Sequence, residues 1–245
     1  MTEASGALSC RGLTKRYGRV TALRSLNLDV AMGECVALFG RNGAGKTTLI
    51  QIIGSLIAHY DGDVELFGQR VKRARAEERR ALGIVLHDTC LYLDLSVFDN
   101  LRFFARLYRV ADPAARAHEL LAQFDLEERA QSTVRDLSRG MKQRLALARA
   151  LVHGPRFLLL DEPFTGLDEL SSQALSGLLR EFVRGGGTVL MSTHDVERAF
   201  DVATRALILE QGAITFDRST HGLDAAEFRH AYWNVLFTGR PPVDA

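Results

Sequence analysis

Residues 40–48 read Gly-Arg-Asn-Gly-Ala-Gly-Lys-Thr-Thr and follow the unbroken apolar run Cys35-Val36-Ala37-Leu38-Phe39. Glycines this close together permit backbone turns that a Cβ would obstruct. Turned that way, successive N–H groups face a common point and can cradle phosphate oxygens. The pattern is G-x-x-x-x-G-K-[ST], which carries its meaning only between a strand and a helix. Both flanks fit. The five apolar residues suit a strand buried on both faces, and residues 46–53 read as a helix whose positive N-terminal end adds to the anion site. The expected phosphate contacts are Gly40, Asn42, Gly43, Ala44 and Gly45 through the loop, with Lys46 on the β- and γ-phosphates. Thr47 is expected on Mg²⁺ and Thr48 on a phosphate. With Gly near 7% of residues, the bare pattern arises by accident in on the order of 1% of chains this long, so the flanks settle the matter in favour of binding.

A chain of 245 residues fits one large domain or two small lobes. Formal net charge is +1, which gives no global field favouring nucleic acid or an anionic membrane; no nucleic-acid partner is expected. The one basic cluster, residues 70–80, is diluted by Glu77 and Glu78 and reads as a solvated helix face. Cys10, Cys35 and Cys90 are widely separated, without metal-ligand spacing, and their odd number suits no closed disulfide set. Free thiols fit a reducing cytoplasm. The first ten residues, MTEASGALSC, lack the features of a signal peptide. No apolar run approaches the roughly 20 residues that cross a bilayer; if the protein serves a membrane process, another chain must supply the membrane part.

Alternating apolar and polar residues at 7–14 and 20–29, around a turn at Tyr17-Gly18-Arg19, predict strands. Leu101, Phe104, Ala105 and Tyr108 recur at helical spacing, Pro113 stands where a helix can start, and residues 145–152 are again helical. Short apolar runs at 157–160, 189–192 and 207–209 are separated by helical stretches, which argues for a parallel sheet with crossover helices. The expected fold is therefore α/β: a mostly parallel core, an N-terminal antiparallel β subdomain and an inserted helical subdomain. The division is a catalytic lobe from 1–95 and 153–222, a helical lobe from 96–152, and an extension from 223–245. In that extension Tyr232, Trp233 and Phe237 suit a packed terminal helix better than a partner contact.

Phe157-Leu158-Leu159-Leu160 runs into Asp161-Glu162. Two carboxylates at the end of a buried strand are costly unless they bind something, and at the carboxyl edge of a parallel sheet the ligand normally sits there. Asp161 is expected to hold Mg²⁺ directly or through a group bound to it. Glu162 is placed to orient and deprotonate an attacking water.

Further segments follow in a fixed order: Leu137-Ser138-Arg139-Gly140-Met141, then Thr165-Gly166-Leu167-Asp168, then Ser192-Thr193-His194-Asp195. With Tyr17 ahead of the loop, this order resembles the nucleotide-binding subunit of ABC transporters, from about Leu8 to Thr215. The resemblance implies a P-loop NTPase core that binds ATP and Mg²⁺ and hydrolyses ATP. It implies that Tyr17 stacks on adenine, and that Ser138 and Gly140 contact the γ-phosphate held by an opposite subunit. It further implies that Asp168 lies in a loop crossing the dimer interface and that His194 contacts the γ-phosphate. Two such subunits would pack head to tail as a homodimer and move a membrane-spanning permease on a separate chain. The location implied is cytoplasmic, peripheral on the inner face of the cell membrane.

Two departures stand out. The usual LSGGQ reads LSRGM here, so Arg139 either adds a cation near the phosphate or points away and stiffens the turn. The LSRGMKQR form is similar to exporter branches, including the haem-exporter ATPase of cytochrome c maturation and drug-type exporters. Aligning back from Asp99-Asn100-Leu101 puts His87 where the family usually has glutamine, a position that links metal and water to the membrane contact. As neutral imidazole His87 could bind either. The alternative function is a soluble ABC-type ATPase acting on an assembly scaffold, as in iron–sulfur cluster loading. A translation or DNA-repair ATPase is disfavoured, because those relatives carry two cores or a long coiled-coil insertion.

Overall fold

The computed structural model describes residues 6–71 and 80–238, with the side chains of 234–238 outside the description. Most of the basic cluster at 70–80 therefore lies outside the described residues, as does the Phe237 side chain.

A four-stranded antiparallel sheet has the order β2-β1-β4-β5, formed by β1 (Leu8–Tyr17), β2 (Val20–Val30), β4 (Asp61–Leu66) and β5 (Gln69–Arg70). A six-stranded sheet has the order β10-β9-β3-β8-β7-β6. Its members are β3 (Cys35–Phe39), β6 (Leu82–Val85), β7 (Phe157–Asp161), β8 (Thr188–Ser192), β9 (Arg205–Glu210) and β10 (Ala213–Ser219). Every neighbouring pair from β9 to β6 is parallel, and β10 closes the edge antiparallel to β9.

The period of two along these strands divides the interior. Val36 and Leu38 of β3, with Phe157, Leu159, Leu190, Leu207 and Leu209, face one core. Cys35, Ala37 and Phe39, with Leu158, Leu160, Val189, Met191, Ala206 and Ile208, face the other. Both faces of these strands are buried, which is why they read as continuous apolar runs rather than alternations. In the first core, α1 (Lys46–Ile53) inserts Leu49, Ile50, Ile52 and Ile53 between the two sheets. Each such side chain contributes about 1.5–3 kcal/mol on burial. Cys10 and Cys35 lie in these cores, and burial pushes both thiols up to about 12.

The second core is covered by helices. Between β6 and β7 come α2 (Val97–Leu107), α3 (Pro113–Gln123) and α4 (Arg139–Leu151); α5 (Glu169–Arg184), α6 (Val196–Phe200) and α7 (Ala225–Thr238) follow. Caps set their starts. Ser96 accepts from the Asp99 N–H at 3.0 Å, and Asp112 caps α3 with Pro113 at its first position, where the missing N–H costs nothing. In α7, Phe228 and Tyr232 are buried against Phe39, while Trp233 is half-exposed; of the three terminal aromatics, Tyr232 packs as expected, Trp233 does so only in part, and the Phe237 side chain lies outside the description. Leu49 is fully buried where α1 meets both sheets. Leu49→Ala should lower unfolding free energy by about 3 kcal/mol, the usual range for a core leucine, measured by urea denaturation at unchanged m-value.

Candidate functional site

Parallel pairing sends the ends of β3, β6, β7 and β8 to one sheet edge. There the chain forms a cavity of about 980 Å³, lined by Gly40, Arg41, Asn42, Gly43, Gly45, Lys46, Thr47 and Thr48 on one side and by Asp161, Glu162, Thr165 and His194 on the other. Tyr17, Ala22, His87 and Tyr232 complete it.

The loop leaves β3 and enters α1 through Gly45, whose φ of 111° puts it in the left-handed region. A Cβ there would stand 2.4 Å from the Ala22 carbonyl oxygen, so only glycine lets the loop lie against β2. No side chain caps α1. Its first N–H groups therefore lack intrahelical acceptors and point the positive helix end at the cavity, as an anion site requires. Ala44 is buried inside the loop and donates to the Arg41 carbonyl at 3.1 Å.

Lys46 is buried and folds back on its own loop, donating to the Gly40 oxygen at 2.6 Å and the Arg41 oxygen at 3.3 Å. Burial lowers its pKa, and the negative charge of Glu162 and Asp161 works against that shift. A desolvated ammonium near two carboxylates gains from any anionic ligand that completes its shell.

Asp161 joins three segments. Its carboxylate accepts from the Thr47 hydroxyl at 2.8 Å and from the Ser192 hydroxyl. The Ser192 hydroxyl in turn accepts from the Glu162 N–H at 3.1 Å. Glu162 stands at φ 55°, a conformation that bulky side chains rarely adopt, and its carboxylate meets His194 Nδ1 at 2.8 Å. The turn after β7 thus holds one carboxylate inward against Thr47 and aims the next into the cavity beside His194. Unfavourable backbone dihedrals persist where surrounding contacts over-determine them, and such residues cluster at functional sites.

The residues also fit Mg²⁺. Magnesium takes few protein oxygens and completes its octahedron with water and phosphate. Among the described residues no group of three or more His, Cys, Asp or Glu side chains is placed to cage a metal. The Thr47 hydroxyl and Asp161 carboxylate, adjacent and facing phosphate space, are the donors such a shared ion uses. Since Thr47 already occupies one Asp161 oxygen, the geometry favours Asp161 as the residue that orients Thr47. His87 is exposed and lines the same cavity.

The model of the ABC transporter family matches residues 23–165, more than half of the chain. This chain belongs to the ABC transporter ATPases. It is 39% identical over 220 residues to the Nod factor export ATP-binding protein I of Burkholderia orbicola (strain AU 1054), covering 89% of this chain and 72% of that protein. A daunorubicin resistance ATP-binding protein of Streptomyces coeruleorubidus is 37% identical over 91% of this chain and 71% of its own length. An importer is also similar: the sulfate/thiosulfate import ATP-binding protein of Xanthomonas campestris pv. campestris, 41% identical over 82% of this chain and 61% of that one. Among solved structures, a dimeric ATP-binding cassette in a post-hydrolysis state bound to ADP and Pi superposes with a TM-score of 0.80 at 29% identity, covering 87% of this chain and 98% of that one. The likeness to the haem-exporter branch rests on the sequence motifs alone.

Besides Ala44, which is buried within the loop and not on the cavity wall, three of the sequence-predicted positions of this ABC ATPase stand apart from the cavity. Ser138 caps α4 by accepting from the Met141 N–H at 3.2 Å, and its side chain is exposed. Gly140 backs onto the Gly166 carbonyl, and Asp168 caps α5 through Ser171 N–H at 2.8 Å. That bond holds the Asp168 carboxyl below the usual carboxylate range. The Arg139 side chain lies along Gly166, where a Cβ would come within 3.0 Å of its Nε, and it also lines a smaller cavity of about 270 Å³ that adjoins the first through His87, Asp161, Glu162 and Thr165.

Two residues to which the motifs assign no role hold the site together. Ser192 closes the strand before His194, and nothing local marks it as the partner of Asp161 in a neighbouring strand. Arg149, inside α4, donates to the carbonyls of Ile84, Thr89 and Cys90 at 2.9–3.0 Å. It pins the segment carrying His87 to α4. Burial lowers its pKa, with Cys90 and Tyr108 opposing, and three carbonyl acceptors keep that cation satisfied. Ser192→Ala removes the hydroxyl that touches Asp161 and Glu162 together. Steady-state ATPase assays should show kcat reduced about tenfold, equivalent to one lost orienting hydrogen bond at roughly 1.4 kcal/mol, with the folded state retained by circular dichroism.

Proposed function

We propose that this ABC ATPase is the ATP-hydrolysing subunit of an exporter, working on a membrane-spanning permease supplied by a separate chain. The observation that carries this reading is the division of the site. One surface holds the phosphate loop with Asp161, Glu162 and His194; a second, open surface holds Ser138, Gly140 and Asp168. Ser138, Gly140 and Asp168 thus stand outside the cavity that holds the phosphate loop. Two copies packed head to tail would complete two sites, with ATP between them. The dimeric state of the cassette that superposes on this chain supports that arrangement.

In the proposed reaction Tyr17, exposed at the cavity mouth, stacks on adenine, and the loop amides with Lys46 and Thr48 hold the phosphates. Bound Mg²⁺, held by Thr47 and oriented by Asp161, would neutralise charge on the transferring phosphoryl group. Glu162 accepts the proton of the attacking water, and His194 holds that carboxylate in place and meets the γ-phosphate. His87 sits where it can sense the same water and pass the state of the site to the loop ahead of α2.

The division into a catalytic lobe (1–95 and 153–222), a helical lobe (96–152) and an extension (223–245) belongs to this proposal. So does the location, cytoplasmic and peripheral on the inner face of the membrane. No described helix is long and apolar enough to cross a membrane. Tyr92, Leu93, Leu95, Phe103 and Leu107 expose apolar side chains beside the His87 segment, with the Tyr92 and Phe103 rings 5.0 Å apart. Such a patch supports a protein partner there. The export direction is supported by the Nod factor and daunorubicin relatives over the sulfate importer.

Glu162→Gln should lower kcat by at least about 10²-fold, the low end for a lost general base, and hold an ATP-bound dimer whose mass in solution is twice that of the chain. A strict monomer with ATP bound would overturn the head-to-tail mechanism. Copurification of a polytopic membrane protein with the tagged chain is the expected result; a soluble scaffold in its place would favour the cluster-assembly reading.

A further inference from the structure

Tyr232 comes from α7, far along the chain from the phosphate loop, yet it lines the nucleotide cavity and is buried. Its ring packs on Phe39 at 5.5 Å and stacks on Phe228 at 6.1 Å, and Phe228 lies 4.8 Å from Phe39. Phe39 is the last residue of β3, so this aromatic cluster grips the strand at the point where the loop departs. The Tyr232 hydroxyl stands 3.4 Å from the Gly40 carbonyl oxygen. That is the same oxygen to which Lys46 donates at 2.6 Å.

A Cβ at Gly40 would lie 2.3 Å from the Leu209 carbonyl oxygen, so the loop is wedged against β9 at this residue. Lys46 holds the oxygen at short distance, and the tyrosine stands off at the long edge of hydrogen-bonding range. When Lys46 turns from its own loop to a phosphate, the Gly40 oxygen loses its close donor inside the protein. A buried carbonyl without a donor is unfavourable. The only movement needed to prevent this is a small approach of the hydroxyl already facing it.

We propose that Tyr232 is a positioning residue for ATP binding, its hydroxyl taking over the Gly40 carbonyl as Lys46 is released to the phosphates. This rests on the reading of Lys46 as a phosphate ligand. It gives the helix after residue 223 a role in nucleotide binding. Burial raises the phenol pKa, which keeps the hydroxyl a donor at neutral pH.

Tyr232→Phe in the full chain keeps the ring cluster and removes only the donor. Calorimetric titration with MgATP should show Kd raised about five- to tenfold, the effect of one neutral hydrogen bond. The KM for ATP should rise in step, with kcat at saturating ATP within about twofold of wild type. The melting temperature without nucleotide should stay within about 1 °C, because Lys46 already satisfies the carbonyl in that state. An unchanged Kd would overturn the proposal. A raised Kd accompanied by a fall in the unliganded melting temperature would also overturn it, by showing a merely structural role. Failure of the wild-type chain to bind MgATP in the same titration would instead sink the function proposed above.

Discussion

β3 is paired on both sides, with β8 and with β9, and packed on both faces. Every residue of it is buried. A strand held this way has no freedom to slip, because a one-residue shift would exchange its two apolar faces and break both ladders. The loop that leaves it therefore starts from a fixed point. The parallel partners also end at the same edge, so their terminal residues meet that loop without long connections. The whole site follows from this constraint. Thr47 meets Asp161 because β3 and β7 both pair with β8, and Ser192 reaches Asp161 because β7 and β8 lie side by side.

Within that frame one carboxylate does the linking. Asp161 ties the first turn of α1 to the end of β8 through two hydroxyls, and its neighbour Glu162 is turned into the cavity by a left-handed backbone. Adjacent residues on a strand point to opposite faces, so without that turn the two acids would diverge. The strain sits at Glu162, and its N–H bonds to the carbonyl and hydroxyl of Ser192 hold it there.

The residues that the proposed function assigns to a second subunit's site lie on a different surface. α4 and α5 begin with exposed capping residues, Ser138 and Asp168, close to one another through Gly140, Gly166 and Arg139. Arg139 is a departure from the usual signature that the structure accounts for: its side chain braces the turn carrying Asp168. The helical insertion is tied back to the core by Arg149, whose guanidinium grips the segment that carries His87. A movement of α4 would therefore be felt near the cavity, through hydrogen bonds and not through shared packing alone.

The phosphate loop, the acidic strand end and the order of the later motifs were all legible in the sequence, because each depends on residue types at short, fixed spacing. The apolar runs of β3, β7 and β8 announced a doubly covered parallel sheet for the same reason. Strand order was not legible, since pairing between residues more than a hundred apart leaves no local pattern. Nor could the sequence show that Ser192 serves Asp161, or that Tyr232 reaches Gly40. Those are contacts between distant segments, fixed by packing. The sequence by itself determined that a phosphate cradle and its acidic partners exist. Only the tertiary structure decided which hydroxyls and which helix hold them, because burial of β3 on two faces is what brings those segments within hydrogen-bond reach.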